Sequence, residues 1–417
     1  MKLMPGMSMK SDTNVKLPLA FIIYALIALV VAQAILFFNN DLLLAGQFRL
    51  PDIWMGAHFL LLGYAVMIAM GAMYQLVPVA FLTPIWSQKL GYIQFIITAI
   101  GVTLFAILLG VQPDNAIYGG ILAIIGIIMF IIQMVQTILK QKNKNMMTYF
   151  VLGAITSFFL TIVAGFLLAW NISYGGIGSH NTILASHIVL GVAGWFTLLI
   201  FGFSYKLVPM FSLSHGFSMK WAKPAFFTYI IGLILLISSF WLDFMFLETS
   251  GWLVLFIGFS FFVLDIKEIL AKRIKKKLDK PFTFSLLAIG NGLAIHLIAV
   301  LLKVTGVDHP TIWSWLIFLY VMGWIIFSIL GYLYKIVPFL WWTHKYSNKI
   351  GKEKVPTLKE MINEKVSVVL FVLFTVSVIG LTLGALFQIG AVVFIFQGLL
   401  ALTSLAYAVS IVRVLFV

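Results

Sequence analysis

A five-residue motif that occurs three times constrains the fold of this chain more than any other feature. Each copy stands near the end of an apolar run and reads Tyr-X-Leu/Ile-Val-Pro (Tyr74–Pro78, Tyr205–Pro209, Tyr334–Pro338). A Gly lies seven residues before each Pro, and a second Gly, followed by an aromatic residue, lies fifteen before (Gly71, Gly202 and Gly331; Gly63-Tyr64, Gly194-Trp195 and Gly323-Trp324). The prolines are 131 and 129 residues apart. The shared offsets predict a threefold internal repeat.

The composition predicts an integral membrane protein. Hydrophobic residues make up 62% of the 417 residues and charged residues 10%, with a mean hydropathy of +1.10. Many apolar runs reach about 20 residues, which is the length that crosses a bilayer. Lys2, Lys10 and Lys16 precede a first run long enough to remain as a span, so no cleavable signal peptide is expected.

The chain contains no cysteine. Disulfides, iron–sulfur clusters, thiolate-bound zinc and covalently attached haem are therefore excluded. A metal or cofactor must be held by His, Met, Tyr, Lys or carboxylate groups.

We predict twelve spans in a single transmembrane domain over residues 17–417, preceded by a Met-rich tail over residues 1–16. Thioethers in that tail suit Cu(I), although a flexible tail with an initiator Met explains them as well. The predicted spans are 17–38, 56–81, 90–110, 115–139, 147–170, 183–212, 224–243, 250–271, 281–304, 311–342, 366–387 and 389–414.

The positive charges predict the orientation. If the N-terminus and every second loop face the cytoplasm, 25 of the 27 Lys and Arg residues lie there, all except Arg49 and Lys303. This strong bias predicts a multi-pass protein of the bacterial cytoplasmic membrane with both termini in the cytoplasm. The net charge of +14 therefore reflects topology and predicts no nucleic-acid partner.

The three motif copies fall on spans 2, 6 and 10 (about 56–81, 183–212 and 311–342). Twelve spans divide into three units of four, so we predict an all-α, pseudo-threefold arrangement. Within a repeat helix the two glycines lie close to one face, which permits tight approach of a neighbouring helix. The motif tyrosines are interpreted as structural, because a functional tyrosine need not occur three times.

Three histidines inside the spans are the candidate ligands. His58 and His187 lie near the outer ends of spans 2 and 6, and His296 lies in the outer half of span 9. An ionisable residue in the membrane is a functional candidate by default, although a lone His also serves as a neutral hydrogen-bonding residue between helices.

The two repeat-helix histidines are not equivalent in position. His58 precedes its Pro by 20 residues and His187 by 22. Two residues turn a helix by about 200°, so the imidazoles point to opposite sides of their helices. They either face each other across one shared pore or face away into separate pores.

The chain resembles the catalytic subunit of haem-copper oxidases in two respects. It has twelve predicted spans in three sets of four, and it has His near the outer ends of spans 2 and 6. That superfamily includes the cbb-type oxidases and nitric oxide reductases, and the NnrS family of nitric-oxide-response proteins shares its haem and copper association. The resemblance implies that His58 matches the low-spin haem ligand of span 2. It also implies that His187 falls where a copper ligand of span 6 is expected.

Other features of that family are missing from the sequence. Pro224 to Asp243 contains no His pair for span 7, and span 10 contains no His-x-His. Proton-pumping oxygen reduction is therefore not predicted. The resemblance implies one b-type haem, held by His58 together with His187 or His296, with copper at His58 and His187 as the weaker expectation.

Two classes of function follow. The first is a haem-binding redox or nitric-oxide-related protein in the lipid bilayer, with a quinone or another redox protein as partner, and an oligomeric state that the sequence leaves open. The second is a cofactor-free transporter or channel that uses the same helical scaffold. The spans lack the paired charges or interrupted helices usual in transporter cores, which favours the first.

The predicted orientation is testable because the chain has no native cysteine. Single cysteines introduced by Asn143→Cys and Lys276→Cys are expected to react with an impermeant maleimide only from the cytoplasmic side. An Asp114→Cys variant serves as the opposite control and is expected to react only from outside. Labelling of Asn143→Cys in intact cells would overturn the orientation.

Overall fold

The structure is a computed structural model that describes residues 15–417, so residues 1–14 of the predicted Met-rich tail lie outside the described part. Helices dominate these residues, and the one β-bridge joins Ser214 to Arg273. Nine of the twelve long helices are uninterrupted: α1 Lys16–Phe38, α3 Gln88–Val111, α4 Ala116–Leu139, α5 Met146–Tyr174, α7 Ala222–Leu242, α8 Met245–Ala271, α9 Lys280–Val304, α11 Glu364–Leu386 and α12 Gly390–Arg413. The repeat helices α2, α6 and α10 each consist of three segments.

Each repeat helix carries a wide π-helical segment between two α-helical ones. The segments of α2 are Pro51–His58, Phe59–Val66 and Met67–Phe81; those of α6 are His180–Val189, Leu190–Thr197 and Leu198–Ser212; those of α10 are Pro310–Leu319, Tyr320–Ile326 and Phe327–Tyr346. All three π segments end twelve residues before the motif proline. π-Helical turns are rare, and those that occur are often at functional sites. Three of them at the same distance from the motif proline extend the correspondence between the repeats from the sequence to the backbone.

Eleven of the helices in residues 15–417 are long and apolar enough to cross a membrane. Helix α8 is not among them; its last two turns carry Asp265, Lys267 and Glu268. All twelve predicted spans coincide with a long helix. The all-helical membrane fold is therefore confirmed, whereas the count of twelve spans stays a prediction.

The repeat glycines bring each repeat helix against the first helix of its own unit. A Cβ on Gly71 would lie 2.7 Å from Phe21 Cβ on α1, and one on Gly202 would lie 3.0 Å from Phe150 Cβ on α5. In the third unit the side chain that occupies this space is Ser285 of α9. The sequence expectation of tight approach at these positions agrees with the packing.

The third and fourth helices of a unit also pack through glycine. A Cβ on Gly232 of α7 would lie 2.7 Å from the backbone nitrogen of Leu255, and one on Gly251 of α8 would lie 2.8 Å from that of Leu236. In lipid there is little hydrophobic drive between helices, so close backbone packing supplies much of their association.

The motif tyrosines connect each repeat helix to a later helix of the same unit. The hydroxyl of Tyr74 donates to Gln94 of α3 at 3.0 Å, and that of Tyr205 donates to Asp265 of α8 at 3.0 Å. Tyr334 shares a 2.8 Å hydrogen bond with Ser410 of α12. These contacts agree with a structural role for the motif tyrosines.

The two ends of the bundle differ in charge. We call the end that holds the motif prolines, the loop 272–279 and the loop 347–363 the basic end. There, Asp279 pairs with Lys275 at 2.8 Å and also with Lys335, and burial lowers the pKa of the Lys275 amine. At the opposite end the buried Lys303 pairs with Glu248 at 2.6 Å and with Asp308 at 3.0 Å.

The glycine contacts predict which small substitutions the fold tolerates. We expect Gly71→Ala to lower the melting temperature of the detergent-solubilised protein, because overpacking a core costs about 1–3 kcal/mol. Gly290→Ala is the matched control: it lies in α9 with nothing within 4 Å of its Cβ position, so it is expected to leave the melting temperature unchanged or raised. Equal melting temperatures for Gly71→Ala and the parent would contradict the close approach.

Candidate functional site

His58 is the last residue of the first α-helical segment of α2, directly before the π segment. Its Nδ1 lies 2.8 Å from the carbonyl oxygen of Trp54. A carbonyl only accepts, so Nδ1 carries the proton and Nε2 keeps its lone pair. The ring also packs edge-on against Phe105 of α3.

His187 on α6 also forms a hydrogen bond between Nδ1 and a backbone carbonyl. Its Nδ1 lies 2.9 Å from the carbonyl oxygen of Thr161 on α5, and Gly165 leaves the space that the ring fills, since a Cβ there would lie 3.0 Å from His187 Cε1. Again Nδ1 is the donor. No described residue hydrogen-bonds to Nε2 of either His58 or His187.

His58 and His187 lie close enough for the charge of one imidazole to affect the other. They stand on the repeat helices of the first and second units, and both residues are partly exposed. A space shared by the two imidazoles stays a prediction.

The two histidines lie toward the end of the bundle opposite to the basic end. At that end, Arg49 Nη1 donates to Asn181 Oδ1 at 3.0 Å and joins the loop before α2 to the start of α6. Toward the basic end, α2 is closely packed: every residue from Gly63 to Gln75 is buried.

His296 occupies a different setting, in which both ring nitrogens have partners. Its Nδ1 lies 2.7 Å from the carbonyl oxygen of Gly292, so Nε2 accepts. The hydroxyl of Tyr229 lies 3.1 Å from that Nε2, and the hydroxyl of Tyr320 lies 3.4 Å from it. The imidazole is completely buried. Both nitrogens of His296, the reserve ligand of the sequence analysis, therefore have hydrogen-bond partners.

The polar groups around His296 form one continuous hydrogen-bonded chain. Trp324 Nε1 lies 3.1 Å from Thr197 Oγ1, Thr197 lies 2.8 Å from the Tyr320 hydroxyl, and Tyr320 lies 3.1 Å from the Tyr229 hydroxyl. If each group donates to the next and Tyr229 donates to His296, every polar hydrogen has an acceptor. We call these five residues the His296 network; it fills the boundary between the second and third units.

The sequence analysis missed the His296 network. The only signal in the sequence was polar hydroxyl groups, Tyr229 and Tyr320, within otherwise apolar spans. Their common partner, His296, is 67 residues from Tyr229 and 24 residues from Tyr320 along the chain. Nothing in a single sequence joins residues so far apart.

Asp265 is the one fully buried carboxylate in residues 15–417. It accepts from the Tyr205 hydroxyl at 3.0 Å and from the Trp221 backbone nitrogen at 3.2 Å. Both contacts lie toward the basic end, so Asp265 fixes the end of α6 and is remote from His58 and His187. Within residues 15–417 no group of three or more His, Cys, Asp or Glu side chains forms a metal site.

Neither a protein-family model nor a curated protein matches this chain. Among solved structures, a cryo-EM structure of a haem-copper terminal oxidase dimer matches with a TM-score of 0.70. The match covers 96% of this chain and 84% of that chain, at 10% sequence identity. The fold is that of a haem-copper oxidase. At this identity the likeness shows the fold alone, and it confirms the fold that the resemblance in sequence implied.

The His296 network predicts a specific loss of stability. Tyr229→Phe removes the hydroxyl that links Tyr320 to His296, so the buried network loses two hydrogen bonds and the imidazole keeps only the longer contact to Tyr320. An imperfectly satisfied buried polar group costs about 1–3 kcal/mol. We expect a lower melting temperature for Tyr229→Phe in detergent. Tyr149→Phe, at a lipid-facing position on α5 with 45% exposure, is the control and is expected to melt like the parent. Equal melting of both variants would contradict the network.

Proposed function

We propose that this protein binds one b-type haem between its first and second units, with His58 and His187 as the two axial ligands. The proposal places the protein in redox or nitric-oxide-related chemistry at the membrane. The observation that carries it is the pair of neighbouring imidazoles with protonated Nδ1 and free Nε2.

The donor chemistry of the pair fits such a haem. A ligating histidine usually donates its second ring nitrogen to a carbonyl or carboxylate, which fixes the tautomer and the ring orientation. Trp54 and Thr161 provide those carbonyls here. Both residues are partly exposed, so a bound group can reach them. Neutral imidazole is also the nitrogen donor that haem iron takes from proteins most often.

Other parts of the chain argue against the full chemistry of a terminal oxidase. The boundary between the second and third units is filled by the His296 network, which uses both nitrogens of its only imidazole. No described cluster offers the three ligands that a copper centre beside a second haem would require. A haem with imidazole on both faces supplies one-electron transfer when bound.

Within this proposal the residues have separate roles. His58 and His187 hold the iron, while Trp54 and Thr161 hold the imidazoles in one tautomer through their backbone carbonyls. The Arg49–Asn181 contact keeps the two repeat helices at a fixed separation above the site. The packed residues from Gly63 to Gln75 exclude water from the side of the basic end. Copper(I) bound by the same two imidazoles is the weaker alternative.

The electron partner belongs to the proposal as well. A quinone in the bilayer or another redox protein has to exchange electrons with the site, because the described chain offers no second redox group. The free Nε2 atoms lie toward the end opposite to the basic end, so an electron partner is expected to approach from that side.

An absorption spectrum of protein produced with haem tests the proposal. We expect a six-coordinate b-type spectrum in the reduced-minus-oxidised difference, with about one haem per chain. His58→Ala and His187→Ala are each expected to abolish or shift that spectrum. His215→Ala and His344→Ala, which change histidines at the basic end, are the controls and are expected to leave it unchanged.

Two outcomes would contradict the proposal. Stoichiometric haem in the His58→Ala/His187→Ala double variant would refute the ligands. Protein that folds, as judged by its melting temperature, and never takes up haem or copper would refute the cofactor, and would favour a cofactor-free transporter or channel.

A further inference from the structure

A groove on the outer surface of the bundle runs between α1 and α12, the first and the last of the long helices. Its volume is about 540 Å³. Aliphatic residues of α1 between Ile23 and Val31 form one wall, and residues of α12 and the following turn between Leu405 and Phe416 form the other. Several of these side chains are well exposed, including Ile27 at 61% and Val409 at 60%.

The groove extends along only part of the seam between the two helices. At the end opposite to the basic end the seam is closed: Gln397 Nε2 donates to Gln33 Oε1 at 3.1 Å, and both side chains are completely buried. Phe37 fills the space beside Gly398 in the same region. Toward the basic end the helices separate, and the groove begins there.

The length of the groove matches one leaflet of a bilayer. From Ile23 to Val31 an α-helix rises about 12 Å, at 1.5 Å per residue. The hydrocarbon core of a membrane is about 30 Å thick, so one leaflet contributes about 15 Å. A transmembrane helix of a partner protein would need a contact surface across both leaflets, whereas one acyl chain needs only this length.

One charged residue lines the groove. Arg413 stands in the last turn of α12, at the basic end, and its side chain is exposed. The remaining lining is apolar. An apolar slot that ends at a cation is complementary to a lipid with an apolar chain and a negative headgroup, and a cation near the membrane surface raises the affinity for anionic lipid about fivefold.

We propose that this groove binds an anionic phospholipid, with one acyl chain between α1 and α12 and the headgroup phosphate at Arg413. The site is separate from His58 and His187 and does not depend on the proposed cofactor. A lipid in this position fills the open half of the seam where the first helix meets the last.

Native mass spectrometry of the full chain tests this proposal. The protein is delipidated in detergent and supplied with equal amounts of phosphatidylglycerol and phosphatidylcholine that carry identical acyl chains. We expect the last lipid retained by the parent to be phosphatidylglycerol, by about fivefold over phosphatidylcholine. Arg413→Gln is expected to lose that preference, and Lys89→Gln, which removes an exposed cation elsewhere at the basic end, is expected to keep it.

A second pair of variants tests the acyl chain. Val409→Trp fills the groove and is expected to lower retention of both lipids several-fold, while Val376→Trp, at an exposed position on α11, is expected to leave retention unchanged. Melting temperatures equal to the parent show that the variants fold. The proposal is overturned if Arg413→Gln keeps the preference or if Val409→Trp retains lipid like the parent. A dimer that Val409→Trp dissociates would also overturn it, because the occupant would then be a second copy of this chain.

Discussion

Close backbone packing through glycine, inside each unit of four helices, is the contact on which the rest of this structure depends. A repeat helix meets the first helix of its unit at Gly71 or Gly202, with no room for even one methyl group. The third and fourth helices meet in the same way at Gly232 and Gly251. In lipid, where apolar side chains gain little from leaving their solvent, such contacts are what hold helices in register. The boundaries between units also hold polar groups.

The hydrogen bonding of the polar groups at those boundaries is explained by the cost of burying them. An imidazole in an apolar interior has to satisfy its nitrogens, since an unpaired buried polar group costs about 1–3 kcal/mol. His296 meets this requirement fully, through Gly292 and Tyr229. His58 and His187 meet it only at Nδ1. His58 and His187 each leave Nε2 without a partner among the described residues, and this difference between histidines in one chain is the basis of the functional proposal.

Much of the fold was predictable from the sequence, because its determinants are local or periodic. The spans, the repeat helices and the tight glycine faces follow from apolar length and common offsets, and the helix bounds agree within several residues. The π segments were not predictable, since their extra residue per turn leaves no compositional mark. The partners of His296 were not predictable either. Tyr229 and Tyr320 reach it only through tertiary packing, which brings together residues far apart in the chain.

The three boundaries between units carry different sets of side chains. His58 and His187, with their free nitrogens, lie on the repeat helices of the first two units, and the His296 network fills the boundary between the second and third. The third boundary is closed by the buried Gln33–Gln397 hydrogen bond and leaves the lipid-facing groove beside it. The close contacts at Gly71, Gly202, Gly232 and Gly251 lie within units, so the side chains at a boundary can differ without disturbing them. The fold therefore remains recognisable at 10% identity to a terminal oxidase.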